Sequence, residues 1–157
     1  MTVDYDNPWE FDGVPFTSGD IGKSYGFVYL ITDRVTDKKY VGRKYFWSMR
    51  KKKGALKRKR EESDWKTYYG SGDEIKALVK EFGQNRFHRQ ILSVHSTKGD
   101  VNYSEVREQF RRDVLEKDEY INANINGKWF RKPNHIIAGR RESNTGASGR
   151  ASKSYSS

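Results

Sequence analysis

The sequence predicts a small α+β domain in which a short sheet is flanked by helices, and three observations carry that expectation. The run Gly26-Phe-Val-Tyr-Leu-Ile31 is continuously apolar and rich in strand-forming residues. Turn chemistry at Asp33-Arg-Val-Thr-Asp37 joins it to a second short strand, Lys39 to Lys44, so the two form a hairpin. Farther on, Ile75, Leu78, Val79 and Phe82 recur at i, i+3, i+4 and i+7, the spacing of a helix that covers a sheet.

The remaining elements follow in chain order. Residues 1–23 hold Pro8, Pro15 and the isolated aromatics Trp9, Phe11 and Phe16 without helical or strand period, which predicts a loosely ordered arm whose rings pack onto the domain. Residues 26–31 read as a strand buried on both faces. Gly42 closes the hairpin where a backbone must bend closely, and a helix is expected over Lys44–Lys52. Glu61 to Gly72 reads as an aromatic surface segment ordered by Trp65. Ser71 or Asp73 caps the next helix and Gly83 stops it. Phe87–His95 is the third strand. A polar loop through Asn102 leads to a helix over Ser104–Lys117, with Val106, Phe110 and Val114 on one face, and Asp118 to Asn122 turns back onto the domain. The expected organisation is the arm at 1–23, one domain at 24–133 with a basic insertion at 50–62, and a disordered basic tail at 134–157, where apolar residues almost vanish.

Charge is unevenly spread. Arg50 to Arg60 (RKKKGALKRKR) carries eight cations in eleven residues and no acid, leaving a balance of only +2 of the net +10 to the rest of the chain. Cations packed so densely repel one another unless a polyanion neutralises them, which points to nucleic acid. The first twenty residues carry five acids and no cation. Zero cysteines exclude disulfides and thiolate metal sites, and His88, His95 and His135 are too scattered to form a ligand pair, so a metal would be held by oxygen. No apolar stretch approaches membrane-spanning length and the N-terminus is acidic where a signal peptide is basic, so a cytoplasmic protein without a membrane partner is expected. There is no Gly-rich nucleotide loop, and no small-molecule cofactor is expected.

The segment GFVY, ten residues, then YVG resembles the paired signature of the GIY-YIG nucleases. Arg43-Lys44, the basic run, Trp65-Lys-Thr-Tyr-Tyr-Gly-Ser71, Ile91-Leu92, Tyr103-Ser-Glu105 and Tyr120-Ile-Asn122 follow in the order found in the phage-encoded, Seg-like homing endonuclease branch. The resemblance covers about residues 25–127. It implies a β-β-α-α-β-α domain with a three-stranded antiparallel sheet and one Mg2+ or Mn2+ ion per site.

Carried onto matching positions, the resemblance makes Tyr29 and Tyr40 the motif phenols that handle the proton of an attacking water. Their anions would need nearby cations, because a free phenol ionises near pH 10; Arg43, Lys44 and Arg50 are the candidates. Arg50, eight residues past Gly42, matches the arginine that clamps the scissile phosphate. Glu105 matches the metal-binding carboxylate, with Glu108 as the alternative, and Asn122 would hold phosphate or metal-bound water. Arg43, Lys51, Lys52, Lys53, Lys57, Arg58, Lys59 and Arg60 would bind DNA, and Trp65 and Tyr69 would touch bases or sugars. The expected function is a divalent-metal-dependent endonuclease acting on double-stranded DNA; the alternative is a basic DNA- or RNA-binding domain that keeps the fold without cleaving.

Overall fold

A computed structural model describes residues 3–131 apart from 51, 52, 55 and 58, and apart from the side chain of Arg50. The expectations for the tail at 134–157 therefore lie outside the described residues.

The described residues form eleven elements of regular structure, leaving aside short 3-10 turns: β1 (Glu10–Phe11), β2 (Val14–Pro15), β3 (Gly26–Asp33), β4 (Lys39–Tyr45), β5 (Trp47–Arg50), β6 (Lys59–Glu62), α1 (Asp73–Phe82), β7 (Phe87–His95), α2 (Lys98–Arg111), β8 (Asn124–Ile125) and β9 (Trp129–Phe130). The expected antiparallel trio is present as β7-β3-β4, but it is the larger part of a mixed five-stranded sheet ordered β2-β1-β7-β3-β4. The addition comes from the N-terminal arm: Glu10 and Phe11 pair in parallel with Gln90 and Ile91 of β7. Two-residue strands have too little length to show a period, so tertiary pairing decides them.

The strand β3 is buried along both faces, as its unbroken apolar run predicts. One face carries the aromatic core, with Phe27, Tyr29 and Ile31 packed among Trp9, Phe46, Trp65, Phe87 and Ile75 of α1. The other places Val28 and Leu30 against Val114, Leu115, Tyr120 and Ile125. Trp9 is fully buried, so the arm's aromatics are the centre of the core and not its cover. The guanidinium of Arg89 (β7) ties this segment down: it donates to the carbonyls of Asp6, Asn7 and Tyr68 and stacks 4.1 Å from the Tyr69 ring.

The helix expected over 44–52 does not form. Lys44 and Tyr45 complete β4, Phe46 is driven into the core, and the chain leaves again as β5, which pairs antiparallel with β6 so that Arg50 faces Lys59. Of the basic run, Arg50, Lys59 and Arg60 thus lie on a two-stranded ribbon. The last helix begins six residues before the expected start and ends six before the expected end. Thr97 caps it by accepting from the Asp100 backbone N–H at 3.1 Å, and Asp113 takes a left-handed conformation (φ 53°) just beyond it. Val114 consequently reaches the core from the following turn, and Phe110 is left exposed. No helix among the described residues is long and apolar enough to cross a membrane.

Candidate active site

The site is built around β4, an edge strand of the sheet. Pairing of Tyr29 with Gly42 and of Ile31 with Tyr40 puts both tyrosines on the aromatic face, ring centroids 6.3 Å apart. Gly42 is required by space. A Cβ there would stand 2.6 Å from Cζ of Tyr29, whose ring lies across the glycine. Tyr40 is wrapped by Gly70-Ser71-Gly72: a Cβ on Gly72 would fall 3.0 Å from its ring, and its hydroxyl lies 3.4 Å from Ser71 Oγ. Tyr68 packs edge to face on Tyr29 at 5.9 Å.

An exposed strand edge invites pairing with another chain, and here it is covered by segment 119–122. Lys39 N–H donates to Glu119 O, and Ile121 N–H donates to Lys39 O. Asn122 continues the ladder with its side chain, accepting from Val41 N–H at 3.1 Å and donating to Val41 O at 2.8 Å. Gln109, on α2, donates to the same carbonyl at 3.0 Å. Beyond Val41 the next polar side chain on this face, Arg43, meets Glu105 instead: Nη1 donates to Oε1 at 2.6 Å, and Nε donates to the Tyr45 hydroxyl at 3.2 Å.

Two clefts meet at this pair. One, of about 800 Å3, runs between Arg43, Lys44, Tyr68, Glu105 and the root of the β5–β6 ribbon. The other, of about 580 Å3, runs past Tyr40, Gln109 and Asn122 to Gly127. Arg43, Ser71 and Glu105 belong to both, so the two form one groove over the strand edge.

Burial raises the pKa of Tyr29 well above that of a free phenol and raises that of Tyr40 as well, and the charge of Glu105 adds to both. Both shifts favour the protonated phenol. Burial also lifts Glu105, and Arg43 pulls it back only in part. The Tyr29 hydroxyl is fully buried and makes no hydrogen bond of normal geometry.

The structure brings Tyr40, Arg43, Lys44 and Glu105 to the groove, while Tyr29 borders neither cleft and lies buried behind Tyr40. Lys44 pairs with Asp64 at 2.5 Å and lies 4.3 Å over the Tyr68 ring. Glu108 borders neither of these clefts and bonds instead to Arg111 and Arg112 on its own helix turn. Asn122 lines the groove, but both its polar atoms engage Val41, so it positions β4. Arg50 sits on β5 and not on a helix, and its side chain lies outside the described residues, as do Lys51, Lys52 and Arg58. Lys53, Lys57, Lys59 and Arg60 are exposed.

Two DNA-contact expectations fail. Trp65 is fully buried and its indole donates to Glu62, and Tyr69 is buried with its hydroxyl accepting from Asn7. Aromatic-rich loops close cores as readily as they bind bases. Tyr68, their neighbour, is the ring that lines the groove. Gln109 was also missed, although its place one helical turn after Glu105 is a signal the sequence contains.

Among the described residues there is no cluster of three or more acidic or imidazole ligands. Glu105 offers one carboxylate at the groove junction, with hydroxyls of Tyr40 and Ser71 nearby. That donor set fits a hard divalent ion that keeps most of its waters and takes further oxygens from a phosphate. No curated protein and no solved structure matches the chain. The family model SegE_GIY-YIG, described as the GIY-YIG domain of the endonuclease segE, matches residues 9–125 and so spans the arm, the hairpin, the ribbon and α2. The chain belongs to the Seg-like branch of the GIY-YIG endonuclease family.

Proposed function

We propose that the protein is a metal-dependent endonuclease of the homing type that hydrolyses phosphodiester bonds in double-stranded DNA, with one Mg2+ or Mn2+ ion per site. One observation supports this above the others: Glu105 from α2 and Tyr40 from β4 open onto a single groove at Arg43, with Tyr29 behind them. The ion, when bound at Glu105, supplies Lewis acidity and neutralises phosphate charge.

The chain's own groups do the rest. Arg43 keeps the Glu105 carboxylate oriented and, having five N–H donors, has further donors for a phosphate oxygen. Tyr40 presents a protonated phenol to the groove and donates to a phosphate or water oxygen there. Tyr29 holds its buried hydroxyl behind Tyr40 and Tyr68, from where it donates to an incoming oxygen. Asn122 and Gln109 are positioning residues that fix β4 through Val41 O. Lys44 lies on the groove wall, and Arg50 joins the phosphate-binding cations of the ribbon.

Incubating supercoiled plasmid with the protein and Mg2+ tests the reading: nicked or linear product is expected, abolished by EDTA and by Glu105→Gln. DNA binding without cleavage under Mg2+, Mn2+ or Ca2+ would instead make the protein a binding module on a nuclease fold.

A further inference from the structure

The β5–β6 ribbon is rooted firmly and ends openly. At its root Phe46 is fully buried, Ser63 N–H donates to Phe46 O at 2.8 Å, and the Ser63 hydroxyl donates to Tyr45 O at 2.6 Å. Trp47 is fastened by its indole N–H to Ser24 O, and Arg60, diagonal to it across the strands, lies 4.0 Å over its ring. Toward the tip the character changes. Met49 and Leu56 are 46% and 94% exposed, and Lys53, Lys57 and Lys59 are exposed with them. Charge changes along the same axis, from Glu61, Glu62 and Asp64 at the cleft to the exposed Lys53, Lys57 and Lys59 farther out.

We propose that this ribbon is the DNA-reading element of the protein and that it enters the major groove of duplex DNA beside the phosphate to be cut. The two outer rungs, Met49–Arg60 and Arg50–Lys59, at about 3.4 Å each carry the ribbon about 7 Å past the cleft wall. A two-stranded ribbon fits a B-form major groove about 12 Å wide, whereas the deep, narrow major groove of an RNA duplex excludes it. Cations on the ribbon then reach both phosphate walls, and the exposed Met49 and Leu56 meet base methyl groups at the groove floor. The acidic root keeps the ribbon from lying flat on the backbone, so DNA meets the tip first. Because Trp47, Ser48, Glu61 and Glu62 also line the cleft that holds Arg43 and Glu105, the ribbon sets a fixed offset between the bases read and the bond broken. The inference rests on the endonuclease reading only for that last point; groove entry stands on its own.

The test separates the two. Arg50 faces Lys59, so replacing residues 51–58 by Asn-Gly closes the ribbon with a two-residue hairpin turn and removes five cations. Binding of full-length protein to a 30-base-pair duplex is measured in EDTA at several salt concentrations, with premethylation of guanine N7 as the major-groove probe. Lys53→Glu with Lys57→Glu, both at exposed positions, serves as the second variant should the turn replacement unfold. The wild type is expected to bind DNA duplex over RNA duplex and to be blocked by N7 methylation. The turn variant is expected to lose the methylation effect, and the slope of log affinity against log salt is expected to fall by about 3–5. Equal binding of RNA duplex, insensitivity of the wild type to N7 methylation, or an unchanged salt slope in both variants would overturn the inference. Failure of cleavage alone, with these binding results intact, overturns the endonuclease reading and leaves the ribbon's role standing.

Discussion

Replacing Tyr29 by Phe removes one oxygen from the middle of the protein, and the structure predicts an unusual pair of results. A buried tyrosine hydroxyl normally has a partner, and its loss costs about 1 kcal/mol. Here the oxygen has no hydrogen bond of normal geometry, so its deletion relieves a desolvation penalty of about 1–3 kcal/mol. Against that stands the packing of one atom over Gly42, worth about 0.5–1 kcal/mol. The net expectation is unchanged stability or a gain of up to about 2 kcal/mol, a rise in Tm of some degrees (about 4 °C per kcal/mol at this size).

The pH sign follows from the raised phenol pKa. The unfolded chain ionises at pH 10 while the folded chain does not, so stability is full below 10 and is lost above it, by about 1.4 kcal/mol per pH unit for each such tyrosine, until the folded-state pKa is passed. Tyr29→Phe therefore also flattens the alkaline unfolding profile. Cleavage under single-turnover conditions is expected to fall about 100-fold, in the range of a lost hydrogen-bond donor to developing charge. Urea melts at pH 7 and pH 11 together with plasmid cleavage measure all three quantities. A variant destabilised by 1 kcal/mol or more that cleaves normally would show the hydroxyl to be structural and refute the reasoning.

Three further outcomes follow from particular contacts. Gly42→Ala sets a methyl against a ring pinned by Trp9 and Tyr40, and should cost about 1–3 kcal/mol in urea unfolding while abolishing cleavage; a silent substitution would mean that Tyr29 moves freely. Asp33, nearly buried and gripped by Arg86 through two hydrogen bonds at 2.8 and 3.0 Å, has its pKa held well below the usual carboxylate range. Its contribution is present above pH 3.8 and is lost as pH falls, so Asp33→Asn should destabilise at pH 7 by about 1–3 kcal/mol and make acid unfolding less steep; parallel acid profiles would contradict this. Glu105→Gln removes a charge whose burial is unfavourable, so the fold should hold or gain stability by thermal melting while cleavage is lost; a large drop in Tm would mark Glu105 as a structural ion-pair partner of Arg43.

Legibility in the sequence tracked how local each cause was. Gly26–Ile31, Phe87–His95 and the helix stopped by Gly83 are specified by their own residues, and they appear within a residue or two of the expected bounds. The helix expected at 44–52 failed because pairing with Lys59–Glu62, a decade farther along the chain, and burial of Phe46 outweigh local helical preference. The short strands are made by tertiary pairing, Glu10–Phe11 with β7 and Val14–Pro15 with Glu10–Phe11. At the site, the ordered motifs pointed to Tyr29, Tyr40 and Glu105, and the structure puts Tyr40 and Glu105 on one groove with Tyr29 buried behind Tyr40. What the residues next to Trp65 do could not be read: Trp65 and Tyr69 turn inward while Tyr68 between them lines the groove, a choice made by the shape of the core. Nor could Asn122's use as an extra rung on β4, which depends on a turn closing over the sheet edge.

The central claim is that Tyr29 and Glu105, from different elements, serve one chemical centre. A double-mutant cycle on single-turnover plasmid cleavage tests it most directly, using wild type, Tyr29→Phe, Glu105→Gln and the double variant. The double variant should be no slower than the slower single variant, because groups acting as a unit fail together. Losses that multiply, as for two independent sites, would contradict it.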